Sequence, residues 1–446
     1  VKIITTVEKN IKEPSIAAVL PVQIFTMLIS ITAMFIDNLM IGQYLSDAAL
    51  AAYGYTTPVT LLITAFGGMI GNGCQVLASE SAGLEDNNRF NRIFSTAAVS
   101  GIVGSVLIGF VMVAFPRPVS VLLGAASDET IALTAEYLCG IAFAFPVIVT
   151  VLIVPSFMQM RGGRKQLVVS AVMLIVLDTV FDFLNVLVFN GGMFGMALAS
   201  VFSYYISFVY LSLPRGSDMK LSVKAFSGKL LKELLRYGLL YLVYKMCQVL
   251  LGLLMNHLLT KKGGTEYAAA NSIISSVNLV TGSFPSGFGS TTTMICSYYI
   301  GQKRIDKMKE KLRQLTKLSV AVSVCITASV LLLAPVLIQA FNPETQLTSD
   351  IAVFGLRCFS ISMLFNMLNY IYKNSCQSLK KLKKAYAVCA MNDLLLPAAA
   401  ALILLTCSGI KTLWLSYAAG QCMTTILIVL YYLFKRKGFK HERQRV

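Results

Sequence analysis

Apolar runs of membrane-crossing length, separated by short polar stretches, recur along the whole chain. A bilayer core about 30 Å thick needs about 20 apolar residues per helix. On that measure the pattern predicts helical spans near 15–43, 48–79, 91–115, 131–159, 166–190, 194–214, 234–260, 266–300, 315–341, 350–378, 385–407 and 411–435. Several exceed the minimum and have room to tilt. The run at 48–79 is the least uniform, being rich in glycine and threonine. The first run is too long for a cleavable signal peptide and continues the helical pattern. The predicted fold class is all-α integral membrane, with twelve transmembrane helices.

Composition agrees. The chain has 446 residues, of which 56% are hydrophobic and 13% charged. Soluble domains carry about 25% charged residues, so lipid must solvate much of this surface. The formal net charge of +17 would suggest nucleic acid in a soluble protein. Here the basic residues fall in short loops between apolar runs, and no nucleic-acid partner is expected.

The loop charges orient the chain. With a cytoplasmic N-terminus, the segments expected inside hold 31 Lys and Arg residues, and those expected outside hold four: Arg117, Lys261, Lys262 and Lys411. That asymmetry is the positive-inside pattern. It requires an even number of spans and both termini in the cytoplasm of a multi-pass cell-membrane protein.

A shift of 218 residues places the sequence upon itself. Asn38 falls on Asn256, Gly71 on Gly289, Gly83 on Gly301, Gln159 on Gln377 and Lys165 on Lys383. Each half holds six spans and starts on the same side. The repeat is therefore parallel, with a pseudo-two-fold axis along the membrane normal. The domain reading is an N-terminal lobe at 1–214, a basic cytoplasmic linker at 215–233, and a C-terminal lobe with a basic tail at 234–446. Two related bundles about a cleft are the architecture of alternating access.

Cysteines and histidines add no enzyme signal. Most of the ten cysteines lie inside apolar runs, no C-x-x-C pair occurs, and His257 and His441 are far apart. Neither H-E-x-x-H nor G-x-S-x-G is present. No enzyme activity, resident metal or cofactor is expected.

Intramembrane acids are costly and mark function by default. They are Asp37, Asp178 and Asp182 in the first half, with Asp393 nearly alone in the second. At 1.5 Å per residue, Asp37 lies roughly 9 Å and Asp182 roughly 12 Å below the outer ends of their spans. Asp178 and Asp182 are four residues apart, on one helical face. Three carboxylates converging in one lobe cannot all remain ionised. A proton on one of them, or a cation among them, relieves the repulsion. Ser156, Gln159 and Asn185 are candidate neutral ligands beside them.

Basic residues inside spans distinguish the second half. Lys373 is near a span end and is expected to snorkel. Lys245 lies deeper. Its expected partner is Asp393; in a sharper alternative, Lys245 and Arg357 line a cleft and favour anionic or zwitterionic solutes.

Several stretches carry a family resemblance. F-I-D-N-L-M-I-G-Q-Y-L-S-D-A-A-L-A-A-Y-G from Phe35 resembles the first-helix signature of multidrug and toxic compound extrusion (MATE) transporters. G-N-G-C-Q-V-L-A-S-E-S-A-G is similar to that family's second-helix end, and Q-M-R-G-G-R-K to its R-G-x-x-K/R inner loop. D-T-V-F-D-F-L-N-V-L-V-F-N-G-G-M-F-G-M-A-L-A-S resembles its N-x-x-x-D motif followed by G-x-x-G-x-A-L-A. The second half matches more loosely, through A-A-A-N-S and the glycines leading to Gly301.

The resemblance implies a V-shaped twelve-helix antiporter that exports organic solutes or drugs in exchange for H⁺ or Na⁺. It matches Asp37 to the family's first-helix acid and Asp182 to the aspartate of N-x-x-x-D, while Asp178 replaces the family's asparagine. Some members carry a glutamate in helix 7 as part of a second-lobe Na⁺ site. Counting from Gly238 places Gln248 there, so H⁺ coupling in the first lobe is preferred. The expected partners are a small-molecule substrate and membrane lipid, with the protein a monomer. The alternative is a flippase for a lipid-linked precursor, from a related exporter superfamily.

Overall fold

The computed structural model describes residues 13–213, 221–343 and 345–443. Residues 215–220 of the expected linker and 444–446 of the basic tail lie outside them. The described chain is helical, and ten helical stretches are long and apolar enough to cross a membrane. Many apolar side chains stay on the outside of these helices, among them Leu107, Phe110 and Leu332. Lipid accepts such residues where water would not. Helix association then rests on close packing and inter-helix hydrogen bonds rather than on exclusion of water.

The chain divides into two compact units. The first comprises residues 1–242 and 294–308, the second 243–293 and 309–446. The first unit thus takes in segments that the sequence division assigns to the linker and the C-terminal lobe.

In the first unit, α1 (Ile16–Tyr44) and α2 (Asp47–Gly83) are joined by a tight turn. Ser46 caps α2 by accepting a hydrogen bond from the Ala49 amide, as short hydroxyl side chains do at helix starts. α3 (Asn87–Ala114) follows, capped by Asp86, and then the short α4 (Pro116–Leu122). α5 (Asp128–Ile141) and α6 (Phe145–Met158) form one pass. α7 (Arg164–Leu184) ends in a π turn at Asn185–Phe189 and leads to α8 (Gly192–Ser212). The pairs α1–α7, α7–α8, α8–α5, α5–α2 and α2–α1 are all in contact. Five helices therefore close a ring.

The next stretch, α9 (Gly228–Gly301), has 74 residues. Straight, it would be about 110 Å long, several bilayer thicknesses. It is broken at Gly264, with φ 77° and ψ −162°, a conformation open to glycine and not to residues bearing a Cβ. Leu251, Met255 and Leu259 before the break pack in one cluster with Ala270, Ile274 and Val277 after it. The chain therefore doubles back there.

The C-terminal end of α9 returns to the first unit. A Cβ on Gly83 would collide with the Tyr298 carbonyl oxygen, and one on Gly301 with that of Glu80. The two helix ends approach this closely because both residues are glycine. Arg89 and Glu233 form an ion pair at 3.6 Å within the same unit, with both side chains about one-third exposed.

The second unit continues with α10 (Ile305–Gln339), α11 (Gln346–Ser360), α12 (Ser362–Ser378), α13 (Leu382–Ala390), α14 (Leu396–Cys407) and α15 (Leu415–Arg443). A π turn at Met391–Leu395 joins α13 to α14. α15 packs on α14, α12 and α11. Trp414 is fully buried, stacks on Tyr267 and donates its indole N–H to Asn271 Oδ1 at 3.0 Å.

Candidate functional site

The helix ring of the first unit gathers the three acids. Asp37 comes from α1, and Asp178 and Asp182 from one face of α7. α2 contributes Tyr53, α5 Tyr137, and α8 Ser203 and Tyr204. Tyr53 Oη donates to Asp37 Oδ2 at 3.2 Å. Ser203 Oγ donates to Asp178 Oδ1 at 2.8 Å. The Tyr53 and Tyr137 rings meet edge-to-face with centroids 5.3 Å apart. Asp182 feels the charges of both Asp37 and Asp178, and Tyr137 feels all three. The three carboxylates thus share one electrostatic site.

Asp182 is the least satisfied of the three. It is 1% exposed, and neither of its carboxylate oxygens has a hydrogen-bond partner among the described residues. Asp37 Oδ1 is likewise buried without one. A buried ionised carboxylate without partners is strongly disfavoured. The arrangement can hold a proton, or let a cation take the proton's place.

The expected neutral ligands are engaged elsewhere. Asn185 Nδ2 donates to the Gly192 carbonyl at 3.1 Å, and its Oδ1 accepts from the Gly191 amide at 3.1 Å. It thereby closes the turn after the π segment. Ser156 Oγ donates to the Gly71 carbonyl at 3.3 Å. Gln159 Oε1 accepts from Gln23 Nε2 at 3.4 Å, and both side chains are buried. These residues join helices of the first unit.

Tyr137, Ser203 and Tyr204 were missed in the sequence. Their only signal is a hydroxyl within an apolar span, which many unrelated serines and tyrosines share.

The second unit overturns the expected ion pair. Asp393 Oδ2 pairs with Lys373 Nζ at 3.6 Å, not with Lys245. Nor does Lys373 snorkel; its side chain is buried. Helical side chains lean toward the helix N-terminus. In α12 that direction carries the Lys373 ammonium back over the ring of Tyr370, three residues earlier. Nζ lies 3.8 Å from that ring's centroid and 4.3 Å from that of Tyr244. Lys245 Nζ lies 5.4 Å from the Tyr244 ring and feels the charge of Lys373. Gln248 is exposed. Arg357 is also exposed, and its Nε donates to the Leu331 carbonyl of α10 at 3.2 Å. Neither joins Lys245 in a shared hydrogen bond or ion pair among the described residues.

An amide network surrounds the Lys373–Asp393 pair. Asn392 Nδ2 donates to Asp393 Oδ1 at 2.9 Å and to Asn366 Oδ1 at 3.0 Å. Asn369 Nδ2 donates to Asn392 Oδ1 at 2.7 Å, and Thr425 Oγ1 donates to Asn369 Oδ1 at 2.9 Å.

Comparison with known proteins places these features in context. The MatE family model matches residues 23–184 and 242–396. Multidrug export protein MepA of Staphylococcus aureus (strain NCTC 8325 / PS 47) is 21% identical over 368 residues, covering 80% of each chain. The protein of the same name from Staphylococcus haemolyticus (strain JCSC1435) is 23% identical over 365 residues, covering 79% of this chain and 78% of that one. Among solved structures, a MATE protein in complex with MaL6 has a TM-score of 0.88 at 17% identity, covering 98% of this chain and 100% of that one. A MOP superfamily transporter from Pyrococcus furiosus, described by the reverse polarity of its binding pocket, has a TM-score of 0.87 at 17% identity, covering 98% and 99%.

Proposed function

This chain belongs to the MatE family of multi-pass membrane transporters, and from that premise we propose that it is a secondary antiporter. It exports organic solutes or drugs from the cytoplasm in exchange for H⁺, by alternating access. It works as a monomer in the cell membrane, without a cofactor.

The observation that carries this reading is the site made by Asp37, Asp178 and Asp182. Three mutually repelling carboxylates lie inside an apolar helix ring, and among the described residues Asp182 has no hydrogen-bond partner on either oxygen. Such a site exchanges a proton whenever its access changes. Protonation removes the repulsion and the cost of a buried charge together. The hydroxyls of Tyr53 and Ser203 hold Asp37 and Asp178 in place, and Asp182 is left to accept and release the proton. Gln248 stands where the second-lobe Na⁺ site of some family members has a glutamate, which favours H⁺ over Na⁺. The name multidrug export protein, borne by the staphylococcal relatives, supports an organic solute as cargo.

The twelve-helix count has support beyond the hydropathy pattern. To the ten long apolar stretches, the break at Gly264 adds one pass and the shorter apolar helix at Leu415–Tyr431 another. With both termini cytoplasmic, the count suits the 31-to-4 loop charge asymmetry. The two lobes of the repeat are residues 1–214 and 234–446, joined by the linker at 215–233. Their pseudo-two-fold relation is supported where the halves meet. Under the 218-residue shift, Glu80 is equivalent to Tyr298 and Gly83 to Gly301. Gly83 packs on Tyr298 and Gly301 on Glu80. Reciprocal contacts between equivalent positions are the signature of a two-fold axis.

The test is efflux from proteoliposomes under an imposed pH or Na⁺ gradient, comparing the native protein with Asp37→Asn. The native protein should respond to the pH gradient, and the variant should lose that response. A variant that keeps gradient-driven transport would remove the coupling role. Transport driven by Na⁺ alone would replace H⁺ by Na⁺ at the same carboxylates.

A further inference from the structure

The buried pair in the second unit has the form of a ligand site. Lys373 is 5% exposed and Asp393 6%. The ammonium sits against three groups from three helical segments: the Asp393 carboxylate at the α13–α14 π turn, Tyr370 on α12 and Tyr244 on α9. The two rings are themselves edge-to-face, with centroids 5.6 Å apart. A carboxylate with two electron-rich ring faces around one nitrogen is the chemistry that recognises organic ammonium groups. A bare alkali ion calls for a shell of oxygens instead. The supporting groups are fixed as well. Asp393 Oδ1 is held by Asn392, and Asn392 by Asn366 and Asn369. Asn374 Nδ2 donates to the Tyr370 carbonyl at 2.8 Å.

We propose that Asp393, Tyr370 and Tyr244 form a binding site for an organic ammonium group, filled in this chain by the tethered ammonium of Lys373. The second unit carries its own counter-cation, so Asp393 is neutralised without an ion from solution. A free amine enters only where the lysine side chain is withdrawn or removed. This inference stands apart from the coupling role given to the first-unit carboxylates.

Removing the lysine side chain beyond Cβ deletes three carbons and the nitrogen. The missing piece is n-propylammonium, which serves as the probe. Purified full-length native protein, Lys373→Ala and Lys373→Ala/Asp393→Asn are titrated with n-propylammonium chloride, with 1-propanol and NaCl as controls, and thermal unfolding is followed. Lys373→Ala should melt below the native protein and rise saturably with propylammonium. Propanol should be about ten-fold weaker or more, since it lacks the charge. The native protein and the double variant should not respond at the same concentrations. A Lys373→Ala protein that ignores propylammonium, or responds equally to propanol, overturns the proposal.

Should Lys373→Ala not be recovered, Lys373→Met, Asp393→Asn and their combination decide. A tethered cation requires the combination to melt above each single variant. A combination no more stable than the weaker single variant overturns the proposal.

Discussion

The two units place buried carboxylates in opposite circumstances. In the first, Asp182 is sealed among apolar helices with no donor on either oxygen among the described residues, and two further acids lie nearby. In the second, Asp393 receives the Asn392 amide and faces the Lys373 ammonium at 3.6 Å. Both sites adjoin a π turn, at 185–189 and 391–395, and such turns often mark functional positions. The difference is the cation. A carboxylate with a built-in partner has little reason to trade protons. One without a partner must trade them or stay neutral. One chain can thus carry an acid suited to exchange protons and another silenced by its own cation.

This contrast can be broken by substitution. The largest effect on transport is expected from Asp182→Asn, which removes the unsatisfied acid while keeping its shape. Gradient-driven transport should fall by about 100-fold, or roughly 2.7 kcal/mol of barrier, with thermal stability held or raised. Proteoliposome flux and thermal unfolding, measured together, check it. A variant with native flux would make the first-unit acids structural.

Asp393→Asn should do the reverse. It leaves Lys373 buried without its counter-charge, a change that costs about 3–5 kcal/mol in soluble proteins. The protein should melt earlier, while the protein that remains folded keeps its response to the pH gradient. Loss of that response at native stability would place coupling in the second unit too.

The smallest effect belongs to Asp178→Asn. Its Ser203 bond survives in amide form, so about ten-fold slower transport is expected, near 1.4 kcal/mol. An effect as large as that of Asp182→Asn would show that the two acids titrate as one unit.

The parts legible in the sequence rest on local arithmetic. Bilayer thickness sets span length, and helix rise sets depth. Together these put Asp37 and Asp182 at a similar level, with Asp178 on the same helical face as Asp182. Depth along a helix says nothing of direction around it. For that reason Lys245 is the partner expected for Asp393 and Lys373 is expected to snorkel, whereas the lean of Lys373 toward Tyr370 brings its ammonium to Asp393 instead. Asn185 followed the acids in sequence, but the π turn after it diverts its amide to Gly191 and Gly192. Gln159 likewise found Gln23, 136 residues away. Such pairings follow from helix packing, and no spacing rule records them. Tyr137 and Tyr204 belong to the same class, since their hydroxyls are common features of apolar spans.

The meeting of Gly83 with Gly301 bears on how such a chain can change over time. Each glycine rests against the backbone of the other's helix, so a larger residue at either would push on a surface that both copies share. What is tolerated at one of these glycines therefore depends on what the other helix presents, and the two positions are constrained as a pair.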